Sequence, residues 1–207
     1  MRVTDEEGIR YLRFDNPEQQ NPFSIEIANK MEAAITDCDP DEHDAIVITG
    51  KGEAFSAGGD LDSGTVSNAN EEARDAYQRF SGASDFVTTM LTAPVPTIAK
   101  VNGNAFGGGM SIVALSDFAY TVSNATFAAS FVQLGLVPDG GATQMLQRHM
   151  GLRDALEIVM TGRTVSATEA ADLGLVNASV EDEAALDEAV EETLDRFREL
   201  PTGAVAH

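Results

Sequence analysis

The chain has 207 residues, 43% of them hydrophobic, enough to bury one sizeable core. Its 34 acidic against 13 basic residues leave a formal charge of −21, which excludes nucleic acid and anionic membrane as partners, since both would repel it. Cys38 is the single cysteine and allows no internal disulfide, no apolar run approaches the roughly 18 residues that span a bilayer, and Met1 to Glu7 holds no apolar signal core, so the expected compartment is the cytoplasm.

Taken in order, Ile9 to Phe14 mixes β-branched, aromatic and charged residues between Gly8 and Asn16-Pro17, the pattern of a short strand. Ser24 is a plausible N-cap, and Ile27, Met31, Ala34 and Ile35 then recur on one helical face until Asp39-Pro40-Asp41. Ala45 to Thr49 is an uninterrupted apolar run, a buried strand. A glycine-rich loop, Gly50 to Leu61, follows it directly. Glu71 to Leu91 carries apolar residues at roughly helical spacing until Pro94, with Gly82 and Ser84 weakening the middle. Val95 to Val101 returns to a strand, and Phe118 to Val122 reads as another.

Beyond it, Phe127 to Val137 reads as irregular and apolar, and helices are expected at Ala142 to Met150 and Arg153 to Met160. Ser166 with Glu169 forms a capping box, and Gly174 supplies the stop. Val176 to Val180 reads as a last short strand and Glu183 to Arg198 as an acidic amphipathic helix. The alternation predicts an α/β chain with no internal repeat. Asp and Glu are spread over its whole length and Lys30, Lys51 and Lys100 are its only lysines, the pattern of a halophilic protein whose self-repulsion is relieved by screening.

The stretch Asn102-Gly-Asn-Ala-Phe-Gly-Gly-Gly109 is the most informative. Three consecutive glycines let backbone approach a ligand closely, and a helix opening at Gly108 or Gly109 would aim its unpaired first amides at whatever lies in front. Equally, the triplet suits a tight strand-to-helix joint, and the residues alone leave both readings open.

Three motifs stand together in order: Phe55-Ser-Ala-Gly-Gly-Asp-Leu61 after one buried strand, the glycine stretch after another, and Gly135-Leu-Val-Pro-Asp-Gly-Gly141. The set resembles the crotonase superfamily, also called the enoyl-CoA hydratase/isomerase family, over nearly the whole chain. The resemblance implies an α/β fold of repeated ββα units with a twisted sheet flanked by helices, one domain over 1–207, and an acyl-CoA thioester as substrate. It further implies no cofactor beyond coenzyme A and a homotrimer or dimer of trimers. Neither glycine loop carries a dinucleotide or P-loop pattern.

By motif position, the backbone amides of Gly59 and Gly108 fall where the family builds its oxyanion hole. Fixed donors aimed at a thioester oxygen stabilise the enolate formed when an adjacent proton leaves, and one such donor contributes about 3 kcal/mol. Family hydratases place two glutamates around the acyl chain; the matching positions here are Ser111 and Phe131. Serine is no base near neutral pH without an activator, and phenylalanine cannot titrate. Asp139 remains, at a place where branches of the family carry a catalytic aspartate, and Gly135 to Gly141 looks most like the enoyl-CoA isomerase branch. Apolar neighbours such as Phe106, Phe131, Leu134, Leu136 and Val137 would increase its basicity. The plainer reading makes Asp139 the cap of a helix beginning at Gly140.

The resemblance also places Ser111, Phe131 and Leu134 at the acyl pocket and coenzyme A along Gln20, Asn21 and Ala57, with Lys51 available for a phosphate. Relatives continue past Leu200 to His207 into helices that cover the pocket, a segment not contained in this sequence. Asp60 is expected to brace its loop, Asp117 to turn the chain into the next strand, His149 to lie at the surface, and His43 in a polar loop. The functional expectation is an isomerase; the alternatives are hydration with an unrecognised base and a noncatalytic acyl-CoA binding protein.

Overall fold

The computed structural model describes residues 1–59, 85–136, 138 and 140–200. Its largest sheet holds β1 (Arg2–Glu6), β2 (Ile9–Phe14), β4 (Ala45–Gly50), β7 (Thr97–Val101), β9 (Phe118–Val122) and β12 (Ala178–Val180), in that order. The β1–β2 pair is antiparallel and the remaining pairs of this sheet run parallel. A second sheet is ordered β11 (Thr164–Ser166), β10 (Thr126–Ala128), β8 (Asn104–Phe106), β5 (Ala54–Ser56). A third consists of β3 (Pro22–Phe23) beside β6 (Gly58–Gly59). The helices are α1 (Ile25–Thr36), α2 at residues 85–91, α3 (Gly108–Leu115), α4 (Ala142–Met150), α5 (Leu152–Thr161), α6 (Ala167–Asp172) and α7 (Glu183–Glu199).

A repeated turn generates this arrangement. Each of β4, β7 and β9 leaves the large sheet and continues, after a short corner, as β5, β8 and β10 of the second sheet. Asparagine side chains tie successive corners together. Asn102 accepts from the Gly50 N–H at 2.9 Å and donates to the Gly52 carbonyl at 2.8 Å, while Asn104 accepts from the Thr126 N–H at 3.0 Å. Gly103 lets two corners touch, since a methyl group there would sit 2.0 Å from the Glu53 carbonyl oxygen. The core runs through the middle strands: Ile46, Val47 and Ile48 of β4 and Ile98 and Ala99 of β7 are fully buried, as parallel strands covered on both faces require.

The helix caps follow the expected chemistry. Ser24 accepts from the Ile27 N–H and Ser166 from the Glu169 N–H, each satisfying an amide that the first helical turn leaves unpaired. The structure corrects some expectations and adds detail to others. Arg2–Glu6, not assigned from the sequence, is a strand that its run of charges conceals. Phe127 to Val137 is not simply irregular, because β10 and a 3-10 turn over Ser130–Leu134 occupy much of it. His43 is 6% exposed, its Nε2 lying 3.6 Å from the Asp5 carboxylate. His149 is held by the Ala114 carbonyl at 2.8 Å and so pins α4 to the end of α3. Asp117 accepts from both the N–H and the hydroxyl of Thr97 at 2.8 Å, joining the starts of β7 and β9. Of the helix expected over Glu71 to Leu91, only its end lies among the described residues.

Arg10, 6% exposed, anchors the α1 end of the sheet through a two-pronged pair with Asp5 and a bond to the Ala34 carbonyl. Its guanidinium holds the Asp5 carboxyl below the usual carboxylate range. Burial pushes the nearby Cys38 thiol up to about 11, which leaves it protonated and unreactive at neutral pH. Among the described residues, no helix is long and apolar enough to cross a membrane.

Candidate active site

The second-sheet corners deliver both glycine-rich joints to one point. Gly58 of β6 backs directly onto the end of β8: a methyl group there would meet the Phe106 carbonyl oxygen at 2.6 Å and the Gly107 Cα at 3.3 Å. Gly107 then turns the chain into α3 with φ 49° and ψ −117°, a conformation open to glycine and costly for other residues. Its N–H donates to the Ala128 carbonyl at 2.8 Å, and its carbonyl accepts from the Ser111 N–H at 3.0 Å. That bond closes the first turn of α3, so the amides of Gly108, Gly109 and Met110 precede the helical ladder and form its positive end.

The third motif reaches the same turn. Ser130 Oγ and the Phe131 ring lie 3.6 and 4.0 Å from where a Gly107 side chain would begin. Gly140 faces Ser111, at 3.4 Å from its Cβ and 3.5 Å from its Oγ by the same measure. Ser111 itself is 2% exposed, and its hydroxyl donates to the Gly107 carbonyl at 3.3 Å. Phe131 is 9% exposed, whereas Leu134 is 49% exposed. Gly59 is exposed, with nothing among the described residues within 4 Å of where its side chain would begin, and Gly108 is bordered by the ring of Phe23. All three motifs therefore meet around one helical turn. Asp139, Asp60, Leu61 and Val137 lie outside the described residues. The N-cap of α4 is Gly141 rather than a residue before Gly140, so the helix that the plainer reading gives Asp139 to cap starts two residues later, at Ala142.

The expected coenzyme A loops also adjoin. The Ala57 N–H donates to the Gln20 carbonyl at 2.8 Å, and Gly52 packs against Pro17. Asn21 is 1% exposed and its amide is engaged inside the protein, donating to the carbonyls of Lys51 and Ala54 and accepting from the Asn16 N–H. Its side chain therefore shapes the loop. Lys51 Nζ is paired with the Asp15 carboxylate at 2.7 Å on the surface, and an exposed pair of this kind is weak enough to exchange for another anion. Two shallow hollows lie elsewhere, one along α1 at Glu32 and Thr36 and one beside α7 at Lys100 and Asp187; none of the three motifs lines them.

Residues 4–206 match the family model described as enoyl-CoA hydratase/isomerase. The chain belongs to the enoyl-CoA hydratase/isomerase family. A probable enoyl-CoA hydratase of Rhodobacter capsulatus is 31% identical over 184 residues, 88% of this chain and 69% of that protein. The peroxisomal enoyl-CoA delta isomerase 3 of Mus musculus is 32% identical over 174 residues, 84% of this chain and 55% of that protein. Among solved structures, an enoyl-CoA hydratase from Polaromonas superposes with a TM-score of 0.87 at 34% identity, covering 97% of this chain and 78% of that one. The α/β crotonase-like fold is thus shared, and names of both hydratases and isomerases occur among these members of the enoyl-CoA hydratase/isomerase family.

Sequence reasoning passes over Phe23. It is placed at the site by pairing with Gly59 across β3 and β6 and by its ring against Gly108. Two-residue strands carry no periodicity, so no signal in the sequence alone joins residue 23 to residue 59.

Proposed function

We propose that the chain is an enoyl-CoA isomerase in which the amides of Gly59 and Gly108 hold the thioester oxygen and Asp139 moves the proton. The observation that carries this reading is the convergence of the three motifs on the first turn of α3, with Ser111 and Phe131 where a hydratase would need carboxylates. Among the described residues, the side chains nearest that turn's glycines are Phe23, Ser56, Ser130 and Phe131, none of which takes up a proton at neutral pH. Pro138 and Gly140 flank Asp139, and Gly140 adjoins Ser111, which supports a carboxylate reaching this turn from the third motif.

For a 3-enoyl thioester, the carboxylate takes a proton from C2, and the electron pair spreads through C2 and C1 onto the thioester oxygen. Two backbone donors and the positive end of α3 stabilise that charge. Returning the proton at C4 moves the double bond from C3–C4 to C2–C3. One carboxylate completes the cycle because no water is added, whereas hydration needs a second group to hold and activate water. In this reading residues 1–207 form a single catalytic domain acting on acyl-CoA, with no cofactor beyond coenzyme A, in a trimeric or hexameric assembly.

The test is product analysis by NMR in D₂O at high salt, with 3-enoyl-CoA and 2-enoyl-CoA supplied separately. A double-bond shift with deuterium incorporation and no hydroxyacyl-CoA is the expected result. Asp139→Asn should lower kcat about a thousandfold while acyl-CoA affinity stays within a factor of about two. Hydroxyacyl-CoA as the main product, or an Asp139→Asn variant that keeps most of its kcat, overturns the assignment.

A further inference from the structure

We propose that Phe23 is a positioning residue: it is the spacer that sets the separation of the Gly59 and Gly108 amides. The inference rests on the reading of those two amides as the enolate site. Phe23 touches both. Its backbone lies in register with Gly59 in the parallel β3–β6 pair, and its ring lies against Gly108, where an added methyl group would be 3.0 Å from Cδ1 and 3.7 Å from Cβ and Cγ.

The ring is itself held in place. Phe86 meets it at 5.2 Å between centroids with a 53° tilt, and Phe14 meets it edge-on at 6.5 Å. Both neighbours are buried, at 2% and 1% exposure, and Phe14 is backed in turn by Phe55 at 5.8 Å. Phe23 is the half-buried end of this row. Its backbone follows β6, two rings fix its side chain, and its remaining side bears on the start of α3. A helix that moved toward β6 would collide with the ring, and a helix without the ring would have room to drift. Edge-to-face contacts favour this fixed geometry beyond the area they bury.

Donors aimed at a developing charge act only from the right place, and a displacement of about 1 Å costs on the order of a hundredfold in rate. A merely structural phenylalanine would weaken every ligand together or lower stability alone. A spacer would weaken the charged species selectively. Acetoacetyl-CoA separates these cases, because its enolate places negative charge on the thioester oxygen and absorbs in the near ultraviolet, whereas butyryl-CoA binds only as a neutral thioester.

The experiment measures both affinities and the bound enolate spectrum for wild type, Phe23→Ala and Phe23→Leu in high salt, with a thermal melt of each. The wild type is expected to prefer acetoacetyl-CoA and to show the enolate band. Phe23→Ala is expected to lose about thirtyfold or more of that preference with butyryl-CoA affinity within about twofold, and the bulkier Phe23→Leu to lose an intermediate share, about fivefold. A Phe23→Ala variant that keeps the preference, or one that loses both ligands equally, overturns the proposal; should it not fold, a Phe23→Leu protein with the full preference does so. Absence of any preference in the wild type would remove the enolate site itself and with it the proposed function, an outcome distinct from failure of the spacer alone.

Discussion

Gly103 and Gly59 both stand where the chain passes between sheets, yet a methyl group would meet opposite surroundings at the two positions. At Gly103 it would lie 2.0 Å from the Glu53 carbonyl oxygen and 3.1 Å from the Ala54 Cα. At Gly59 nothing among the described residues lies within 4 Å. Gly108 falls between them, since its three nearest atoms all belong to the Phe23 side chain, the first at 3.0 Å. One residue type thus serves two ends. Opposite backbone it lets two turns of the scaffold touch, and where no described residue stands in front it leaves room, in the proposed reading, for a ligand to reach the amide. What stands in front of the missing side chain separates a glycine of the fold from a glycine of the site.

The largest effect is expected at the corner. In Gly103→Ala, the new carbon would overlap backbone that is itself pinned by Asn102 to Gly50 and Gly52. Neither partner can rotate away, so the corner must separate. Overpacking of this severity costs about 3 kcal/mol or more, and for a chain of this size the melting temperature should fall by at least about 6 °C. Measurement is by thermal and denaturant unfolding in high salt. A variant that melts like the wild type would mean that the corner yields, and the contrast with Gly59 would lose its basis.

Gly108→Ala should separate stability from activity. The obstacle is a ring rather than a main chain, and shifting it by a few tenths of an ångström costs about 1–2 kcal/mol. The shift itself moves α3 relative to β6 by a fraction of the roughly 1 Å that costs a hundredfold, so kcat should fall about fivefold with KM nearly unchanged. Steady-state kinetics on 3-enoyl-CoA beside a melting curve read both quantities. If stability and kcat fall in proportion, Gly108 is a scaffold glycine like Gly103, and the site lies elsewhere.

The same contrast explains which features are legible in the sequence. Ala45 to Thr49, the Ser24 cap, the Ser166 cap and the opening of α3 at Gly108 are local signals, and each lies where the sequence puts it. Strands of two or three residues, such as β5, β6, β8 and β11, are too short to show a period and exist because neighbouring turns offer them partners. His43 and His149 sit among polar residues in sequence, and only partners far along the chain, the Asp5 carboxylate and the Ala114 carbonyl, show how they are held. The three site motifs can be named from their order, but not the packing of Gly58 on Phe106 or of Gly140 on Ser111, because those contacts join separate turns. Phe23 escapes a reading of the sequence for the same reason: its importance comes entirely from residues 59 and 108.

The smallest expected effect is the sharpest test of the open end of the comparison. Gly59 lies in β6 without a left-handed backbone angle, so alanine fits the existing geometry, and no neighbour among the described residues within 4 Å opposes its methyl group. The substitution removes conformational freedom from the unfolded chain and should stabilise the protein by about 0.5 kcal/mol, which raises the melting temperature by roughly 1–2 °C. The amide proposed to hold the thioester oxygen is retained, so kcat should stay within about threefold, a barrier change below about 0.7 kcal/mol. A loss of melting temperature would show that residue 59 is crowded after all. A large fall in kcat with the melting temperature unchanged would mean that substrate comes against the Cα itself, and the open space in front of Gly59 would then be part of the acyl pocket rather than the approach to it.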